Sequence, residues 1–321
     1  MNHNLIAIVG PTASGKTRLS VELAAHLGAE ILSFDSMQIY KGMDIGTAKP
    51  TKEEMQGIPH HMIDIADPRE EFSVSRFVEQ ADGILQDLLS RGKPVVLVGG
   101  TGLYIDSLMK GLEFAPQPQT GVREELTAMA QEQGIEVIVE RLRAVDPESA
   151  ERIHPSNQKR VIRALEVYLE TGKTMTQHNL ETQEKPPKYD PLWIGLDYVN
   201  REALYSRINR RVDLMLEQGL LEELNHLLSQ GIPETATSMQ AIGYKEFLGY
   251  IRGECTLEEA TDLLKQSSRR YAKRQRTWFH RNPKVNWLML ADDPNFDQVF
   301  QSCIPLLAVG NDDSPQYSTR F

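Results

Sequence analysis

The chain has 321 residues, 40% hydrophobic and 25% charged, which is the make-up of a soluble globular protein with ample length for a buried core. Its net charge of −10 argues against a protein that coats nucleic acid over its whole surface, while leaving room for a local basic face. The two isolated cysteines exclude a cysteine-rich zinc site, no apolar run reaches membrane-spanning length, and the first residues lack a signal-peptide pattern, so a reduced, cytoplasmic setting away from membranes is expected.

The first predicted element is a buried strand, Leu5-Ile6-Ala7-Ile8-Val9, running into Gly10-Pro11-Thr12-Ala13-Ser14-Gly15-Lys16-Thr17. This is the G-x-x-x-x-G-K-[ST] phosphate loop in its strand–loop–helix context. The glycines let successive backbone N–H groups turn inward on one anion. Lys16 adds a point charge, and Thr17 offers a hydroxyl to Mg²⁺. The helix that follows, with Leu19, Leu23 and Leu27 at four-residue spacing and Gly28 as its stop, aims its positive end at the same place. A ligand with two or more phosphates is expected; the motif, shared with nucleotide-binding and ATP-binding proteins, leaves open whether it is a nucleotide.

A second strand, residues 31–34, ends at Asp35, which should face the phosphate site because ligands sit beyond the carboxyl ends of such strands. A turn or N-cap aspartate is the alternative. Residues 37–50 read as a loop lining a site. His60, His61, Asp64 and Asp67 raise a metal site, but adjacent histidines on an extended segment point to opposite sides, so a structural or substrate-loop role is expected. A helix over 75–90 leads to a strand over 94–98 that ends in Gly99-Gly100-Thr101-Gly102, where an ATP-hydrolysing P-loop protein carries a carboxylate. Asp35 is then the candidate general base, and the pattern favours transfer from a diphosphate over ATP hydrolysis.

From Gly111 the character changes. Pro116 and Pro118 mark a hinge-like loop, and helices are predicted over 122–133, 135–142, 147–153 and 157–170, closed by a polar stretch over 174–191. On the last helix Lys159, Arg160 and Arg163 lie together while Val161, Leu165 and Tyr168 face a core; a solvated basic face is the bland alternative. After a strand at 193–196, a helix over 201–218 sets Arg207, Arg210 and Arg211 on one side, either closing over the anion or lying on the surface. A capping box at Thr256 starts a long helix whose segment 265–284 holds eight Lys or Arg and no acid, interleaved with Tyr271, Trp278, Phe279 and His280. That is a footprint for a nucleic-acid backbone, the aromatics being expected mainly in the core. The expected fold is α/β: a P-loop NTPase-like parallel sheet flanked by helices (1–111 and 191–307), a small all-helical insertion domain (112–190), and a loose tail (308–321).

Seven segments in order carry a resemblance: GPTASGKT, FDSMQIYKGMDIGTAKP (34–50), GIPHHMID (57–64), VGGTGLY (98–104), HPSNQKRVIRALEV (154–167), SMQAIGYKE (238–246) and RRYAKRQRTWF (269–279). The chain resembles the bacterial tRNA dimethylallyltransferases (tRNA isopentenyltransferases, the IPP transferase family). The resemblance implies transfer of a dimethylallyl group from dimethylallyl diphosphate to N6 of the adenosine 3′-adjacent to the anticodon in tRNAs reading codons that begin with U. The products are N6-(dimethylallyl)adenosine and diphosphate. It further implies that the loop from Gly10 to Thr17, with Mg²⁺ on Thr17 and with Arg211, holds the allylic diphosphate. Lys16 and Thr101 would serve catalysis, with Asp35 taking the N6 proton. Contacts to tRNA are implied for Asp35-Ser36-Met37-Gln38, Thr101, Arg123, Gln158-Lys159-Arg160-Val161-Ile162 and Gln240-Ala241-Ile242-Gly243-Tyr244-Lys245, the helical insertion clamping the anticodon stem-loop. Ser156-Asn157 departs from the Asn-Asp or Asn-Asn usual there, which bears on helix capping rather than catalysis. The cysteine–histidine finger of eukaryotic relatives is absent, and a monomer is expected. The competing readings are a P-loop kinase for a small alcohol, and an RNA-binding P-loop switch that would tolerate loss of Asp35.

Overall fold

The computed structural model describes residues 3–112, 120–184, 186–308 and 319–320. Two compact units result, Met1–Leu108 with Tyr189–Phe321, and Met109–Lys188. In chain order the first part of the larger unit holds β1 (Leu5–Val9), α1 (Lys16–Leu27), β2 (Glu30–Ser33), α2 (Lys52–Met55), β3 (His60–His61), α3 (Val74–Ser90), β4 (Val95–Val98) and α4 (Gly102–Lys110). The helical unit holds α5 (Val122–Gln133), α6 (Ile135–Val145), α7 (Pro147–Arg152), α8 (Gln158–Thr171) and α9 (Met175–Glu184). The chain returns through β5 (Leu192–Tyr198), α10 (Arg201–Glu217), α11 (Leu220–Ser229), α12 (Leu248–Ile251), α13 (Leu257–Phe279), β6 (Asn286–Leu290), α14 (Phe296–Ala308) and β7 (Thr319–Arg320).

One parallel sheet runs in the order β3-β2-β4-β1-β5-β6-β7. β1 is central, with Ala7 paired to Leu97 on one side and Trp193 on the other. Its continuous apolar run is what a strand needs when helices cover both faces; all five residues are buried. Ile6, Ile8, Leu19, Leu23, Ile194, Leu196 and Leu288 form the core under α1 and α14. Because every strand is parallel, the ends of β1, β2 and β4 lie on one edge, which gathers Gly10, Asp35 and Gly99 there.

The helical unit has its own core of Leu126, Ile138, Leu142, Val161 and Leu165. Its polar organiser is Asp146, which accepts from Ser149 N at α7 and from Thr176 Oγ1 on α9 (3.1 and 2.7 Å). Glu166, 4% exposed, is held by Arg123 (3.0–3.1 Å) and Arg163 (3.0 Å). Asn157 caps α8 without a side-chain hydrogen bond, while His154 Nδ1 pairs with Ser156 Oγ at 2.8 Å.

Several boundaries differ from the sequence reading. The helical unit spans Met109–Lys188 where 112–190 was expected, its first two residues being the last two of α4. The polar stretch after Thr174 folds into α9. Residues 296–308 form α14, its Phe296, Val299, Cys303, Leu306 and Leu307 buried at helical spacing. Of the segment expected to be a loose tail, Thr319–Arg320 pairs with β6, Leu288 opposite Thr319; the loop at Pro116 and Pro118 lies outside the described residues. Among the described residues no helix is long and apolar enough to cross a membrane.

Candidate active site

The turn between β1 and α1 requires glycine at two positions. Gly10 has φ +141°, and a Cβ there would fall 2.2 Å from the Leu196 carbonyl oxygen; Gly15 has φ +89°, with the Phe296 ring where a Cβ would be. Gly10 and Pro11 are accordingly buried scaffold. The Pro11 carbonyl accepts from Ser14 Oγ (2.8 Å) and Lys16 Nζ (2.7 Å). The faces of Thr12, Ala13, Ser14, Gly15, Lys16 and Thr17 open onto a cavity of about 890 Å³, together with Asp35, Arg207, Arg210 and Arg211.

Arg211 reaches this loop from α10, donating to Thr12 Oγ1 at 3.2 Å, and Arg207 donates to the Ala13 carbonyl at 3.4 Å. All three arginines of α10 thus line the cavity, Arg207 and Arg210 from its exposed rim and Arg211 from deeper inside. Burial pushes the Lys16 ammonium down to about 7, the Arg211 charge adding to that fall and Asp35 opposing it. Asp35 is moved the other way. Burial raises its carboxyl above the usual carboxylate range, against the hydrogen bond from Met37 N–H (2.9 Å) and the charge of Lys16. A lysine eager to lose its proton beside a carboxylate eager to gain one is a site built to receive both an anion and a proton.

A second cavity of about 300 Å³ adjoins the first. It is lined by Ser36 and Met37 from the turn after β2, by Gln240, Ala241, Ile242 and Lys245, and by Ser268 and Arg274 from α13. Thr12, Asp35, Thr47, Arg211 and Tyr271 line both cavities, so they form the wall between them. Asp35 therefore stands where a group in one chamber could meet a group in the other.

The IPP transferase family model matches residues 38–282, and an isopentenyl transferase model matches 3–69. The chain belongs to the IPP transferase family. The tRNA dimethylallyltransferase of Caldanaerobacter subterraneus subsp. tengcongensis is 48% identical over 306 residues, 95% of this chain and 97% of that one. The full-length tRNA isopentenylpyrophosphate transferase from Bacillus halodurans superposes with a TM-score of 0.70 at 45% identity, covering 95% of each chain. A eukaryotic dimethylallyltransferase acting on tRNA gives a TM-score of 0.82 at 28% identity, covering 99% of this chain and 82% of that one.

Within this IPP transferase fold the remaining site candidates fall in distinct places. Thr101 stands behind the wall, its Oγ1 accepting from Ser36 N (3.1 Å) and donating to Ser36 Oγ (3.3 Å), so it holds the turn that presents Asp35. Gln38 donates to the Thr47 and Ala48 carbonyls (3.4 and 3.1 Å) and lines the first cavity. Gly243 and Tyr244 are buried, Tyr244 donating to Glu223 Oε1 at 2.6 Å. Arg123, Gln158, Lys159, Arg160, Val161 and Ile162 belong to the helical unit. There Lys159 and Arg160 are exposed, whereas Val161 and Ile162 pack in its core and Arg123 is paired with Glu166.

Three residues that sequence reasoning did not single out organise the site. Gln275 on α13 accepts from Thr12 N–H (2.8 Å) and donates to the Gly100 carbonyl (3.0 Å), tying the phosphate loop to the turn after β4. Glu223 on α11 accepts from the backbone N–H groups of Asp44, Ile45 and Gly46 (2.9–3.1 Å), fixing the loop that floors both chambers. Asp197, fully buried at the end of β5, would be raised by burial, but hydrogen bonds from His280 (2.9 Å) and Arg276 (2.8 Å) hold it below the usual range. The basic run of α13 and of the turn after it is correspondingly divided. Lys265, Arg276 and Lys284 meet Asp213, Asp197 and Asp190, and Arg269 meets Asn209, while Arg270, Lys273, Arg274 and Arg281 remain exposed. The aromatics divide as well. Phe279 is core, His280 stacks on Trp287 at 4.0 Å, and Tyr271 faces the cavities. His60 and His61 engage the Ile58 carbonyl and Glu30, and among the described residues no group of three His, Cys, Asp or Glu could hold a metal.

Proposed function

We propose that this chain transfers a dimethylallyl group from dimethylallyl diphosphate to N6 of the adenosine 3′-adjacent to the anticodon, in tRNAs that read codons beginning with U, releasing diphosphate. The observation that carries the reading is the position of Asp35 in the wall shared by a phosphate-loop cavity and a second cavity lined by Ser36, Met37, Gln240, Ala241, Ile242 and Lys245. The donor enters the first chamber. Its diphosphate lies on the loop Thr12-Ala13-Ser14-Gly15-Lys16-Thr17 at the positive end of α1, under Arg211. The adenine, turned out of its stack, enters the second. Asp35 accepts the N6 proton as the C–N bond forms, a task suited to its raised basicity. Lys16 and Arg211 meet the charge that gathers on the leaving oxygen.

Magnesium fits this chamber only in part through the protein. Thr17 would supply one hydroxyl, and with no group of three His, Cys, Asp or Glu placed to hold a metal among the described residues the other ligands would be donor phosphate oxygens and water, the usual partners of this ion. Its chemistry there would be to neutralise leaving-group charge. Lys159 and Arg160 on α8, with Lys245, Lys273 and Arg274 on the larger unit, are exposed cations available to the RNA backbone. The setting we propose for this reaction is the cytoplasm, with the chain acting as a monomer.

The test is one incubation of protein, Mg²⁺, unmodified tRNA and dimethylallyl diphosphate, with ATP replacing the diphosphate in a parallel sample and nucleosides read by mass. A five-carbon gain on adenosine with the allylic donor alone is the expected result. Consumption of ATP with no gain on tRNA overturns it in favour of a kinase.

A further inference from the structure

Resting on that transferase reading, the reaction requires three atoms in line: the leaving oxygen on the phosphate loop, the allylic C1 at the boundary of the two chambers, and N6 beside Asp35. The residues common to both chambers are therefore the ones that meet the allyl group. Of the five residues common to the two cavities, Thr12, Asp35, Thr47 and Arg211 offer polar or charged atoms; Tyr271 alone offers a broad apolar surface. The group that must lie there is a branched five-carbon hydrocarbon.

The Tyr271 ring is held rather than free. It projects from the buried side of α13, one turn before Gln275, which is itself clamped between Thr12 N–H and the Gly100 carbonyl. The Tyr271 hydroxyl donates to the same Gly100 carbonyl at 3.4 Å. The Arg274 guanidinium carbon lies 5.5 Å from the ring centroid, so the setting already accommodates positive charge against this ring.

We propose that Tyr271 is a catalytic residue of the prenyl transfer, its ring forming the surface on which the allyl group lies and its π face stabilising the positive charge that develops there. As C1–O lengthens, the bonding electron pair departs with diphosphate, and the five-carbon unit takes up positive charge shared between C1 and C3. The N6 lone pair then closes the C1–N bond, and the N6 proton passes to Asp35. Lys16 and Arg211 serve the leaving oxygen, but their charge is adverse to an allylic cation beside them. A carboxylate or hydroxyl could stabilise that cation but could also trap it. An aromatic face supplies negative potential with no nucleophilic atom and excludes water from the same space.

The experiment compares wild type with Tyr271→Phe, Tyr271→Leu and a series in which position 271 carries phenylalanines with increasing ring fluorination, measuring kcat at saturating donor and tRNA and KM for each. The fluorinated series keeps the shape of the ring, and melting curves for each variant check that α13 stays folded. Tyr271→Phe is expected within about threefold of wild type, and Tyr271→Leu about tenfold or more lower in kcat. Across the fluorinated series log kcat should fall steadily as the π face loses electron density, with both KM values nearly constant. A kcat that ignores fluorination overturns the proposal, leaving the ring a passive wall. A rise in KM for tRNA with kcat unchanged also overturns it, making Tyr271 a stacking platform for the base. If wild type itself transfers no five-carbon unit, it is the transferase reading that has failed, and the Tyr271 series has no reaction to report on.

Discussion

The two chambers are built in opposite ways. The first is dominated by one unbroken stretch, Thr12 to Thr17, whose backbone geometry is forced by Gly10 and Gly15 and whose charge comes from Lys16 and the α10 arginines. The second is assembled from the turn after β2, the 240–245 segment and α13, and no one of these makes a site by itself. A chamber for an anion can be local, because several adjacent N–H groups suffice. A chamber for a base needs a shaped surface, and shape comes from elements far apart in the chain. The wall between them is where the two kinds of construction meet, and variants there and on either side should separate their contributions.

The largest effect is expected in the wall. Asp35→Asn removes the proton acceptor while keeping the size of the side chain, and kcat should fall by about 10³. The KM values for donor and tRNA should move little; a loss confined to either KM would make Asp35 a binding residue of one chamber instead. Next comes Lys16→Met, which acts on the first chamber alone. It should lower kcat/KM for the allylic donor by about 10², with tRNA affinity measured by filter binding unchanged. A matching loss in tRNA affinity would mean that the chambers are not separate.

Glu223→Ala sharpens the comparison from the other side. It leaves three backbone N–H groups of residues 44–46 and the Tyr244 hydroxyl without their acceptor, so the loop that supplies Gly46 and Thr47 to the second cavity should loosen. The expected cost is about 2 kcal/mol of stability by urea melting, with KM for tRNA raised about tenfold and donor KM changed less. Equal changes in both would show that Thr47 matters as much to the first chamber as to the second.

This difference in construction also explains what could be read in advance. The phosphate loop, the central strand and the absence of a carboxylate after β4 are local patterns, and Asp35 was legible because a strand end in a parallel sheet has a known direction. Gln275 meets Thr12 across 263 positions, and Glu223 meets Asp44 across 179. In the sequence each is one polar residue on an amphipathic helix, with nothing to distinguish it from a solvated one. The basic run of α13 misled in the same way. Lys265 and Arg276 look free along the helix because Asp213 lies on α10 and Asp197 on β5. Arg123 and Arg163 likewise look like surface cations until Glu166 is seen buried beneath them.

The smallest expected effect is in pH dependence, and it too should belong to one chamber. Lys16 in the unliganded protein titrates at about 7, so raising the pH through that value removes the positive charge that the donor diphosphate needs. From half-protonated at pH 7 the lysine falls to about one-tenth protonated at pH 8, a loss of about fivefold in kcat/KM for the donor. On the acid side the same profile should fall at a pH above the ordinary carboxylate value of 3.8, because Asp35 must be ionised and burial raises it. Once bound, the diphosphate restores the charge on Lys16, so the alkaline fall in kcat should move to higher pH than that in kcat/KM. Lys16→Arg supplies the control, since a guanidinium stays charged throughout the range and should abolish the alkaline fall. KM for tRNA should remain flat from pH 7 to 8, because Lys16 does not line the second cavity; a parallel rise there would show that its charge reaches through the wall of Thr12, Asp35 and Arg211.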